Sequence, residues 1–189
     1  MSPQPESPRD EPRTFEVTSA RQLVWDDLLS AIVDQGEVVA GTEVSDFCSL
    51  LMLADRVFVA GDAEHPAPAR LLALCLAELG FAARIADCAN LANVTPDDVL
   101  VVVDVTGSDA LATQLKPALQ SRPILLAITA GALLSPLAAQ ADAAVILPIS
   151  RSHSSPDQPK YLTGLQLMCF LAVDAIRSNL EQRIERIND

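Results

Sequence analysis

The run Val99-Leu100-Val101-Val102-Val103 constrains this chain more than any other segment. It has no polar face, so a strand built from it must be covered on both sides, as strands of parallel sheets are. Its β-branched valines favour the extended backbone over a helix. The surrounding pattern agrees. Apolar runs at 56–60, 82–86, 124–129 and 143–147 alternate with helical periodicity at about 66–79, 108–119 and 133–140. Two helices precede the first strand, one from Glu16 to about Gln35 and one beginning near Thr42 or Ser45 and ending before Asp55. A polar segment from Ser150 to Pro159 leads into a long final helix, from about Lys160 to Ile187. This order predicts an α/β three-layer sandwich: a five-stranded parallel sheet of flavodoxin-like type with helices on both faces.

Local signals punctuate the pattern. Gly80 stands where a helix over 66–79 needs a residue of left-handed backbone. Pro117 limits the last turn of the helix over 108–119. Thr95-Pro96-Asp97-Asp98 reads as the turn before the third strand.

With 189 residues, half of them hydrophobic, the chain can build one buried core. Residues 1–14, rich in Pro, Ser, Glu and Arg, read as a disordered lead-in without the apolar centre of a signal peptide. Residues 15–189 read as a single domain. A formal net charge of −12 argues against nucleic acid and anionic membranes as partners, since both need a basic patch. No stretch reaches the ~18 apolar residues of a membrane span, and a cytoplasmic location is expected. The four cysteines, at 48, 75, 88 and 169, form no C-x-x-C pair and read as reduced thiols. With His65 and His153 as the only histidines, neither a metal nor a cofactor is expected. The final helix is apolar almost all round between Leu162 and Ile176, which predicts a homodimer or homotetramer.

Function should lie at the carboxyl ends of the strands, where parallel sheets bind ligands. Two loops there are informative. The first runs Gly61-Asp62-Ala63-Glu64-His65-Pro66, and the second runs Asp104-Val105-Thr106-Gly107-Ser108-Asp109. Each precedes a helix whose N-terminus would ordinarily favour an anion. Both instead carry carboxylates: Asp62 and Glu64 in one, Asp104 and Asp109 in the other.

The order of elements and the position of these loops resemble the sugar isomerase (SIS) domain family, and within it the 6-phospho-3-hexuloisomerases. The resemblance covers roughly Glu43 to Leu180. The segments ADRVFVAG, ARLLALCLAELGF and DDVLVVVDVTGSD fall on the family's strand, helix and phosphate-loop positions. It implies a phosphosugar-binding domain that interconverts an aldose and a ketose. The family's first loop, Gly-x-Gly-Arg-Ser-Gly, keeps only Gly61; Glu64 replaces the arginine, His65 the serine and Pro66 a glycine. Its second loop, Ser-Gly-Ser-Gly-x-Thr, keeps Gly107 and, in Thr106, a hydroxyl. The first serine and last threonine are Asp104 and Asp109. The glutamate that such isomerases use as base, at the start of the last helix, corresponds to Gln166 or Gly164, depending on whether Asp174 or Phe170 anchors the alignment. An amide cannot accept a proton at neutral pH.

The candidate catalytic residues are therefore Gln166, His65 and Glu64, and the candidate ligand-binding residues Gly61, Asp62, Asp104, Thr106, Gly107, Ser108 and Asp109. A plainer account of the first loop is a solvated turn. For Ser108 and Asp109 the plainer account is helix capping. A phosphate in the second loop would meet Thr106, Ser108 and the helix dipole, worth about 1 kcal/mol. It would also meet two carboxylates, each repelling by roughly 3 kcal/mol at ~5 Å and an effective dielectric near ~20. Arg151 or Lys160 would have to offset that. Three readings follow: an SIS-type domain that binds a carbohydrate derivative and has lost isomerase chemistry, an active phosphosugar isomerase with a displaced site, or a structural or regulatory oligomer.

Overall fold

The computed structural model describes residues 42–87, 89–107, 109–130, 135–147 and 159–189. The helix expected over 16–35, the lead-in at 1–14, Cys88, Ser108, Arg151, His153 and the side chain of Lys160 lie outside the described residues.

The elements follow the expected alternation. Helix α1 spans Thr42–Leu51, strand β1 Val57–Gly61, α2 Ala67–Glu78 and β2 Ala83–Ile85. Strand β3 spans Val99–Asp104, α3 Asp109–Leu119, β4 Ile124–Ala130, β5 Ala143–Leu147 and α4 Pro159–Asn188. Short 3-10 turns lie at Leu91–Asn93 and Ala138–Gln140. The second corrects the helix expected over 133–140: in its described part, Pro136 and the approaching β5 leave room for a single tight turn.

All strand pairs are parallel and the order is β2-β1-β3-β4-β5. Alternation along the strands divides the core into two layers. Val57, Val59, Val99, Val101 and Val103 pack with α1, α2 and α4. Phe58, Ala60, Leu100 and Val102 pack with α3 and the turn at Leu91–Asn93. Every residue of β3 is buried, as its composition demands. Helix α4 buries Leu165, Met168, Cys169, Ala172, Val173, Ile176 and Leu180, a single stripe at helical spacing.

Two details show how sequence sets the geometry. Gly80 has φ +93°, and Gly80 N–H and Phe81 N–H return to the Ala77 and Leu76 carbonyls. That pairing satisfies the end of α2 and turns the chain into β2. At the amino end of the sheet, Asp98 is 1% exposed and receives Arg56 through two hydrogen bonds of 2.7 Å. Thr95 donates to it from both N–H and hydroxyl, at 2.6 and 2.8 Å.

Burial alone would raise the Asp98 carboxyl, but Arg56 and Thr95 outweigh it and hold it below the usual aspartate range. A carboxyl depressed by folding adds stability that is complete above its unfolded pKa, near ~4, and disappears as pH falls through the folded value. Asp98→Ala should cost about 2–3 kcal/mol in urea unfolding at neutral pH. Asp98→Asn should lose less stability than wild type on going from neutral pH to below pH ~4.

Candidate functional site

In the order β2-β1-β3, the chain reverses its direction of travel across the sheet between β1 and β3. The loops after these two strands therefore flank the crevice where such folds bind ligands. Gly61 pairs with Val103, so Asp62 leaves β1 level with Asp104 at the end of β3, on strands ~4.8 Å apart. The close fit begins at Gly61. A Cβ there would lie 2.5 Å from the Ala69 Cβ, so glycine lets the end of β1 approach α2.

The first loop is not the solvated turn its composition suggested. Asp62 is 7% exposed, and its Oδ2 accepts the Thr106 N–H at 3.1 Å and the Thr106 hydroxyl at 2.8 Å. The His65 N–H donates to the Asp62 carbonyl at 3.2 Å, closing a turn that draws the imidazole inward. His65 Nδ1 meets the Gln166 side-chain amide, and its buried Nε2 has no hydrogen-bond partner among the described residues. Only Glu64 and Ala63 are exposed, as expected of a turn.

In the second loop the Gly107 N–H donates to Asp104 Oδ1 at 2.7 Å. Gly107 has φ +70°, a backbone state glycine adopts without strain, and this turns its N–H back towards the strand. Asp104 is fully buried, Thr106 is exposed, and Asp109 is exposed in the first turn of α3. Among the described residues no Arg or Lys pairs with Asp62, Glu64 or Asp109. The offset expected from Arg151 or Lys160 lies outside the described residues.

Helix α4 completes the crevice. The Cys169 thiol is fully buried and pushed up to about 12, first by burial and then by the Asp104 and Asp62 carboxylates. Both carboxylates therefore act on the inner face of α4, one turn from Gln166. Gln166, one of the two positions that the resemblance aligns with the family's glutamate, faces His65. Asp62, His65, Asp104, Thr106, Gly107 and Gln166 thus come together, while Glu64 and Asp109 face solvent.

Among the described residues, these contacts occupy the donors of the second loop before α3. Thr106 N–H, Thr106 hydroxyl and Gly107 N–H each already serve a carboxylate of the chain itself. The N-terminus of α2 adds little, because Pro66 at its cap and Pro68 in its first turn have no N–H. Sequence reading found the residues of the crevice but not the Asp62–Thr106 and His65–Gln166 contacts. The register of β1 on β3 could have suggested the first; the second, spanning 101 positions, has no local signal.

No protein-family model matches the sequence, and neither does any curated protein. Solved structures do. The NanR protein of Vibrio vulnificus complexed with ManNAc-6P matches 90% of this chain at 13% identity and a TM-score of 0.74; the chain spans 66% of that protein. A hypothetical protein of Methanococcus jannaschii, with an inferred function of 3-hexulose-6-phosphate isomerase, matches 87% of this chain and 96% of its own. Its identity is 17% and its TM-score 0.62. The sugar isomerase domain of an RpiR transcription factor from Sphaerobacter thermophilus matches 88% of this chain and 98% of its own, at 20% identity and a TM-score of 0.60. The fold is that of the sugar isomerase domain proteins.

Asp62→Ala should cost about 1–2 kcal/mol in urea unfolding, because Asp62 receives two hydrogen bonds from the neighbouring loop. Glu64→Ala, at an exposed position, should stay within about 0.5 kcal/mol of wild type.

Proposed function

We propose that the protein is a sugar-isomerase-type domain that binds a carbohydrate derivative and has lost aldose–ketose isomerase chemistry. The observation that carries this is the occupation of the Thr106 and Gly107 donors by Asp62 and Asp104. An incoming phosphate would have to displace a carboxylate from Thr106 and then remain beside its charge. At ~5 Å and an effective dielectric near ~20, each such repulsion is roughly 3 kcal/mol, against about 1 kcal/mol from the helix dipole. Gln166 supports the same reading. An isomerase must take a proton from one carbon and return it to its neighbour, and an amide cannot hold that proton.

On this reading the ligand meets hydroxyl-binding groups and no base. Gln166 and Thr106 would bind sugar hydroxyls, Gly61 and Gly107 would allow close backbone approach, and Asp62 and Asp104 would accept from hydroxyls at the crevice floor. Ser108 would add a hydroxyl and Asp109 a rim charge. The solved neighbours include a sugar isomerase domain within a transcription factor, a precedent for this fold outside a free-standing enzyme. Cytoplasmic location belongs to the same proposal; among the described residues no helix is long and apolar enough to cross a membrane.

One observation favours the active-isomerase alternative: His65 places in the crevice a buried ring nitrogen with no partner among the described residues. In that alternative His65, with Glu64 at the rim, would carry the proton between carbons.

The two readings separate in one assay. Incubated with 6-phospho-3-hexulose and fructose 6-phosphate, the protein should give no interconversion above the buffer rate. Turnover that disappears in Thr106→Val or His65→Ala would establish the alternative.

Homodimer or homotetramer assembly is also proposed, through Leu71 and Leu74 on α2 and Leu167 on α4, which are 37%, 57% and 37% exposed. Light scattering should give a mass at least twice the 20.1 kDa of one chain, shifting towards one chain in Leu74→Glu/Leu167→Glu. A single-chain mass for wild type would remove this part of the proposal.

A further inference from the structure

We infer a second ligand site, at the β1–β2 edge of the sheet, that takes a small organic oxyanion carrying a planar ring. A cavity of about 490 Å³ opens there, within the ~300–1,000 Å³ range of small-molecule sites. It exists because the β2–β3 connection is built around a 3-10 turn at Leu91–Asn93, not a full helix, and leaves the sheet beside Phe58 only partly covered. Counting along β1 from Phe58 to Asp62, it lies ~13 Å from the crevice at the carboxyl ends. The two sites are separate.

The charge here is the reverse of that in the crevice. In a chain of net charge −12, the residues lining the cavity include Arg56 and Arg84 and no Asp or Glu. Both guanidinium groups lie over the ring of Phe58, 5.5 and 5.8 Å from its centroid. Cation–π attraction holds them against one aromatic floor. Their states differ. Arg56 commits Nε and Nη2 to Asp98 and the Asn93 carbonyl, so its charge is balanced, but Nη1 keeps its hydrogens available. Arg84 makes no ion pair or hydrogen bond among the described residues and contributes a whole uncompensated charge. The Asn93 side-chain amide is also unbonded and lines the same cavity.

This donor set defines the ligand. A guanidinium offers a planar fork that matches a phosphate or carboxylate, and its flat face stacks on rings. Arg84 would take the oxyanion, with Arg56 Nη1 and Asn93 as further donors. A planar ring would lie against the guanidinium faces. Phe58 itself is 1% exposed and serves as the support of the arginines, not as a contact surface.

The test is calorimetric titration of the full chain at low salt with adenosine monophosphate, adenosine, inorganic phosphate and benzoate. Adenosine monophosphate should bind with a Kd of millimolar or tighter, and more tightly than adenosine or phosphate alone. Binding of benzoate as well would assign the recognition to the oxyanion-plus-ring pattern; its absence would narrow the site to phosphates. Arg84→Ala, at an exposed position, should weaken adenosine monophosphate binding at least about tenfold, and raising the salt should weaken it further. Lys116→Ala, an exposed cation on α3 that does not line the cavity, should leave it unchanged. No heat at millimolar adenosine monophosphate, or binding that survives Arg84→Ala, would overturn the inference.

Discussion

One carboxylate oxygen, Asp62 Oδ2, accepts both the N–H and the hydroxyl of Thr106. This contact sets the geometry of the rim of the sheet. It ties the loop after β1 to the loop after β3 across the point where the sheet reverses its winding. It also occupies two donors of the second loop. Asp104 does the same for Gly107 from within its own loop. A side-chain carboxylate is held at high effective concentration and needs no ordering when a ligand arrives. A free phosphate must compete with that and still face the negative charge it displaces.

The scaffold depends little on the side chains at the rim. The five parallel strands, the helical cover on both faces and the stripe of α4 rest on aliphatic burial and backbone pairing, to which the rim adds only the strand-end backbones of Gly61 and Asp104. The Arg56–Asp98–Thr95 cluster closes the opposite end of the sheet. An architecture of this kind therefore does not by itself fix the chemistry at its edge. The same clamp fixes Arg56 beside Arg84, so two cations of this acidic chain meet at the amino-end cavity, while Asp62 and Asp104 meet at the carboxyl-end crevice.

Much of this was legible in the sequence, and the exceptions have physical causes. The valine run fixed β3 as a central strand to within one residue; its last position is Asp104, whose charge reads as loop although its backbone pairs with Thr129. Arg56 was read as the first residue of β1, but its backbone stands just before the strand and its side chain serves Asp98. The helix expected over 133–140 failed in its described part because periodicity there is carried by Leu and Ala around a proline. In the crevice, residue types gave the charge directly, and the resemblance aligned an amide or a glycine with the glutamate of such isomerases. They did not show that Asp62 and His65 turn inward, because that depends on Gly61 lying level with Val103 and on Gln166 arriving from the far end of the chain. The two-arginine cavity was not visible at all, since it depends on which face of β1 and β2 the short connection leaves bare.

The central claim is that the chain's own carboxylate holds the phosphate position. Calorimetric titration of fructose 6-phosphate into wild type and Asp62→Ser tests it most directly, with the Arg84→Ala background removing any contribution from the other cavity. The account predicts binding at least about tenfold tighter in the serine variant than in wild type. Equal or tighter binding by wild type would contradict it.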